Sequence, residues 1–192
     1  MPAAVIPVMG LIQGPIGSIS QSDFPIVTNR LVTPTDTKVP SFGDTIILKA
    51  GNTYSSVEQY ITVDSGSVTG TTAIGFALAN VKTNTVYPNQ SSGSVANSGF
   101  YAAGQPCDGV VRGTITVAVP YGTPAGSGAP VYIRTALNGS YPNSKVGSIE
   151  GASLTGNTAL ANGIVFASGV LSTDPQTGQI SAQVTMLNRL IP

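Results

Sequence analysis

Apolar and polar residues alternate along most of this chain with a period of two. In GVVRGTITVAV (Gly109 to Val119), Ile115, Val117 and Val119 share one face and Thr114, Thr116 and Ala118 the other. PVYIRT places Val131 and Ile133 on one side and Tyr132 and Arg134 on the other. QISAQVTML sets Ile180, Ala182, Val184 and Met186 against Ser181, Gln183 and Thr185. Thr45–Ala50, Gln59–Val63, Thr72–Val81, Lys145–Gly151 and Gly163–Leu171 are further β-rich runs. Period-two patterning on β-branched residues, with turn residues between the runs, predicts an all-β fold with a half-buried sheet. One turn of helix is expected at most, around Asn157 to Ala161. TDPQTGQ (Thr173 to Gln179) reads as a hairpin turn, and Pro88 to Gly99 as an exposed loop.

The first 38 residues follow neither period. Ile6, Val8, Leu11, Ile16, Ile19, Phe24, Ile26 and Val27 are spaced irregularly among Pro and Gly. Proline favours extended chain before it, and the segment is too apolar to remain solvated. An extended apolar arm over residues 1–38 is expected, followed by one compact β-barrel or β-sandwich domain over 39–192. The arm must lie on its own domain, on a neighbouring subunit or on another protein, and ordinary edge strands of the same domain remain an alternative.

Composition narrows the function. Charged residues are 8% of the 192, with eight cations and eight anions, against about 25% in ordinary soluble domains. Eight scattered cations make no basic patch, so no nucleic acid is expected as a partner. A neutral surface is weakly protected against self-association, which points to work inside an assembly. Met1 to Ser22 is uncharged but lacks a basic leader and is broken by Pro and Gly, so no targeting segment is expected. Gly151 to Thr173 is also uncharged, yet too rich in Asn, Ser, Thr and Gly to span a membrane.

Chemistry is sparse. There is no histidine, which removes the commonest general base and metal ligand. The single cysteine, Cys107, reads as a small buried apolar residue. YGTPAGSGAP (Tyr121 to Pro130) has the glycines of a phosphate loop, but Ala129 and Pro130 stand where a Walker loop needs Lys and Ser or Thr, so it reads as a hairpin connector. The carboxylates Asp23, Asp36, Asp44, Glu58, Asp64, Asp108, Glu150 and Asp174 are isolated and near turns, where capping and solvation explain them. No enzyme activity, cofactor or metal is expected. Seven tyrosines (54, 60, 87, 101, 121, 132, 141) fall mostly near run ends. They suit sheet edges, interfaces or sugar-binding surfaces.

The order of its segments makes the chain resemble the structural cement (capsid decoration) proteins of tailed bacteriophages. PVMGLIQGPIGSISQSDFPIVTNRLV is similar to the family's apolar arm, and VPSFGDTIILKAG to its Phe-Gly lead into the first strand. TAIGFALANV, CDGVVRGTITVAV and GAPVYIR follow in the family's order, and GVLSTDPQTGQISAQVTMLNRLI closes as a terminal hairpin. The loop at Pro88 to Gly99 is extra. The resemblance implies a non-enzymatic virion protein on the capsid exterior, bridging neighbouring major capsid subunits as a dimer or trimer. The arm, through Leu11, Ile16, Ile19 and Phe24, would be the bridging element, adding a strand to a neighbour's sheet edge. The rival reading is a carbohydrate-binding or adhesion module of a phage fibre or bacterial surface protein, using the tyrosines.

Overall fold

A computed structural model describes residues 16–19, 25–49, 59–62, 75–79, 100–141, 144–173 and 180–187. Leu11, Phe24, Tyr54, Tyr87, the loop at Pro88 to Gly99 and the turn at 174–179 lie outside them. The described residues hold ten strands and no helix: β1 (Ile26–Val32), β2 (Thr45–Leu48), β3 (Gln59–Thr62), β4 (Gly75–Ala77), β5 (Pro106–Val119), β6 (Pro130–Arg134), β7 (Ile149–Glu150), β8 (Thr158–Phe166), β9 (Ser172–Thr173) and β10 (Ile180–Met186). The all-β class expected from the alternation is what the chain adopts.

The strands run in the order β1-β3-β2-β4-β5-β10-β8-β6-β7, and β1 also pairs with β5. That extra pairing closes β1, β3, β2, β4 and β5 into a ring. The second sheet starts from the same β5. It returns to it as well, because Tyr121, two residues past β5, bridges to Glu150 of β7 and accepts the Gly151 amide at 2.8 Å. Closure of this kind leaves few unpaired edges.

β5 serves both sheets by division. Its first half pairs with β1 and β4; its second half pairs with β10 from Gly113 to Val119. The changeover is a bulge. Val27 faces Val110 but Ile26 faces Arg112, so one residue of β5 is skipped, and Gly113 takes φ +116°. A bulge reverses the alternation and bends the strand. Val110 and Ile115 therefore face the same core, although five residues apart. The sequence placed Thr114 and Thr116 on an open face, yet both are buried. Thr114 shares a hydrogen bond with Thr185 (2.6 Å), and Thr116 lies where residues 16–19 pair along the edge of β5.

Two cores lie on opposite faces of the ring strands. Ile46 and Tyr60 point inward with Val32, Ala77, Tyr101 and Cys107; the adjacent Ile47 and Ile61 point outward to join Phe76, Val110 and the second sheet. Tyr60 crosses the ring. A β-carbon at Gly109 would fall 2.6 Å from its hydroxyl, so only glycine leaves room there. The hydroxyl meets Thr28 and Arg30 Nη1 (3.2 Å). Asp36 is buried and caps a turn, accepting from the Lys38 amide (3.0 Å), the Thr62 amide (2.7 Å) and the Thr62 hydroxyl (3.0 Å).

Three local expectations change. The turn of helix around Asn157 is instead the start of β8, where Arg134–Thr158 and Ile133–Ala159 pairing overrides weak helical propensity. One helix-like turn does occur just before it, with the Thr158 amide on Leu154 O at 3.0 Å. YGTPAGSGAP connects β5 to β6 but makes no hairpin, because β10 and β8 stand between those strands. TDPQTGQ does join paired antiparallel strands, β9 and β10.

Cys107 is buried inside the ring, as its isolation suggested. Burial first, and the neighbouring Asp108 second, push its thiol from 9.0 up to about 12. Below pH 9 both folded and unfolded chains keep this proton. Between about 9 and 12 only the unfolded chain releases it, so stability falls as pH rises, by roughly 1 kcal/mol per pH unit. Urea denaturation should show that slope from pH 9 to 10, where Cys107→Ser should flatten it; above pH 10 the buried Tyr101 hydroxyl adds a slope of the same sign, and Cys107→Ser should only reduce the total. Gly113→Ala should destabilise by about 1–3 kcal/mol, because φ there is positive and the new methyl meets Pro25 at 3.1 Å. Thermal denaturation would read this as roughly 2–4 °C per kcal/mol.

Candidate functional site

Two places on the molecule present chemistry suited to contact with a partner. The first is the root of the N-terminal segment. Residues 16–19 lie along the second half of β5. Gly17 N–H donates to Thr116 O (2.8 Å), Thr116 N–H to Ser18 O (3.0 Å) and Ala79 N–H to Gly17 O (2.8 Å). Ile19 bridges to Ile115 and packs on the larger core. The Ile16 Cγ2 methyl occupies the space that a β-carbon at Gly43 would need. Of the four residues the sequence singled out, the structure thus places Ile16 and Ile19 together, half-buried on their own domain. Residues 26–32, read in sequence as part of the arm, form β1.

The second place is the outer face of β6, β7 and β8. Cross-strand pairs line up a row: Tyr121 beside Glu150, Glu150 beside Tyr132, and Tyr132 beside Leu160. Alternation turns Val131 and Ile133 into the core and leaves Tyr132 and Arg134 on this face. Tyr141 closes against Tyr121 with ring centroids 4.3 Å apart. The hydrogen bond with Tyr141, more than any other cause, holds the Tyr121 hydroxyl above its ordinary pKa. So the five tyrosines within the described residues divide. Tyr60 and Tyr101 are core residues, Tyr101 with its hydroxyl donating to Leu78 O (2.7 Å) and its pKa raised chiefly by burial. Tyr121, Tyr132 and Tyr141 are half-buried around one sheet face.

Beneath the rings lies an ion pair that sequence reading missed. Arg134 Nε donates to Glu150 Oε1 at 2.8 Å, and both side chains are 0% exposed. Ser148 Oγ donates to the same oxygen at 3.0 Å. The guanidinium carbon sits 5.8 Å from the Tyr121 ring centroid and 6.0 Å from that of Tyr141, within reach of a cation–π contact. Arg134 Nη1 and Nη2 and Glu150 Oε2 have no hydrogen-bond partner. Glu150 is therefore neither a turn cap nor solvated, unlike Asp44, which accepts the Ser41 amide (2.8 Å) and meets Lys145 (2.6 Å) at the surface. The available signal was Arg134 sharing its face with Tyr132; nothing local in SIEG reveals the partner.

Other chemistry is thin. A cleft of about 40 Å³ lies near the Lys145–Asp44 bridge, lined by Phe42, Ala118, Pro120 and Ile149, which suits a water or two. Among the described residues no three His, Cys, Asp or Glu side chains gather as metal ligands.

Breaking the buried pair should be costly, because it strands a charge out of water. Glu150→Ala should lose about 3–5 kcal/mol in urea denaturation, and Arg134→Met combined with Glu150→Leu should lose less than Glu150→Ala alone.

The comparisons with known proteins bear on what such surfaces serve. A solved chain from "The capsid of Myoviridae Phage XM1" has the same fold, with a TM-score of 0.58 and 16% identity over 98% of this chain and 98% of that one. No curated protein matches. The family model of the XM1 gp53 minor capsid protein matches residues 5–185. That span is nearly the whole chain, both sheets included, and the chain therefore belongs to the XM1 gp53 minor capsid protein family, whose members are structural proteins of the phage virion.

Proposed function

We propose that this protein binds the outer surface of a phage capsid, bridges neighbouring major capsid subunits and so stabilises the head, acting as a dimer or trimer and without catalysis. The observation that carries this reading is the match to a minor capsid family across residues 5–185. The composition supports it, since a chain with 8% charged residues and no net charge suits a covered position in an assembly. The root of the N-terminal segment supports it too. Residues 16–19 are fixed to β5 by main-chain hydrogen bonds, so chain N-terminal to Ile16 leaves from a rigid point. Leu11 is then the arm's first candidate contact with a capsid subunit, Ile16 and Ile19 hold the arm's base, and Phe24 lies just before β1.

A bridging protein works by buried area. A standard interface covers about 1,600 Å², and apolar burial contributes roughly 25 cal/mol per Å² before association costs offset most of it. Two attachments on one rigid body raise avidity without any new contact.

Removing residues 2–14 tests the arm. That truncation stops short of Ile16 and spares β1, which closes the ring. It should leave a domain with unchanged thermal stability that no longer co-sediments with expanded capsids. Wild-type binding by the truncated chain would rule the arm out as the bridging element.

A further inference from the structure

Bridging requires a second attachment besides the arm, and we propose that the tyrosine–leucine face of β6 and β8 is that attachment, docking on an uncharged, apolar surface of the major capsid shell. The inference rests on the capsid-binding reading above. Leu160 is 48% exposed and Leu187 56% exposed. Leu160 adjoins Tyr132, and Leu187 follows β10 with its amide on Gly163 O of β8 (2.9 Å). Met186 is in the core, so the pleat turns Leu187 outward with Leu160. Large apolar side chains grouped on one open sheet face mark an interaction surface.

The charges on this face decide the partner. Its two charged groups among the described residues, Arg134 and Glu150, are buried and neutralise each other. Docking therefore strips no exposed charge of water, a cost that opposes most protein contacts. An apolar, uncharged partner surface matches it; among the described residues a phosphate backbone or an acidic chain would find no exposed cation on this face. Tyr121 and Tyr141, which flank the Tyr132–Leu160 pair with the Arg134 guanidinium against their rings, are rigid anchors that lose little entropy on binding. Contacts of this type are insensitive to ionic strength, whereas charge-driven docking weakens as salt screens it.

Co-sedimentation of the full chain with expanded capsids lacking it, at about 0.05 M and about 0.5 M salt, tests this. Binding should persist at high salt. Leu160→Glu and Tyr132→Ala should each weaken it roughly tenfold or more, with thermal stability retained, and Leu160→Ser serves should the glutamate variant aggregate. Val170→Glu, on the exposed turn past the far end of β8, should bind as the wild type does. Unchanged binding by the face variants, or wild-type binding that collapses at high salt, overturns the proposal while leaving the capsid reading intact. So does a Leu160→Glu chain that loses self-association but still binds capsids, because the face would then belong to a second copy. If the unaltered chain binds no capsid, the reading beneath the proposal fails, and the proposal with it.

Discussion

The fold depends on one strand being paired on both edges along its length. β5 is fourteen residues long and carries β1 and β4 on its first half, then β10 and residues 16–19 on its second. A strand of unbroken alternation could not do this, since Ile115, Val117 and Val119 would then share the face of Cys107 inside the ring and not the face of Val110. The skipped residue before Gly113 and the positive φ at that glycine solve the conflict. They reset the alternation, so that Val110, Ile115, Val117 and Val119 all feed one core. The two sheets are thus joined covalently and by packing into one body.

That rigidity sets what each surface can do. The segment at Ile16 to Ile19 is fixed because β5 has a free edge there to receive it. The outer face of β6 to β8 is fixed because β7 returns to Tyr121 and closes the second sheet. The Arg134–Glu150 pair sits beneath this closure. Replacing such a pair with apolar side chains often adds stability, so its presence against the Tyr121 and Tyr141 rings makes more sense as a means of holding those rings in place than as a source of fold stability.

Much of this was legible in the sequence, and the failures have physical causes. The alternation in TITVAV, PVYIR and QISAQVTM identified the core faces of β5, β6 and β10, because period two is dictated by the pleat. It could not show that Thr114 and Thr116 are buried, since their neighbours come from distant chain: Thr185 beside Thr114, and residues 16–19 along the strand edge at Thr116. Nor could it show that β5 and β6 are not neighbours, because strand order depends on long-range pairing and not on the loop between them. Asp36 and Asp44 cap turns as their positions suggested, whereas Glu150 needed Arg134, sixteen residues away, to explain it. Tyr132 was correctly set on the face opposite Val131, but Tyr60 looked like a run-end residue and is the centre of the ring. The bulge at Gly113 had only a glycine in an apolar run to announce it.

The proposed role puts this chain on the outside of the shell, joining capsid subunits. A density map of the source phage's head, resolved well enough to trace strands, tests it most directly. The expected map has the two-sheet body on the exterior, touching at least two major capsid subunits, one through residues before Ile16 and another through the face bearing Tyr132 and Leu160. A body placed inside the shell, confined to the tail, or resting on a single subunit would contradict it.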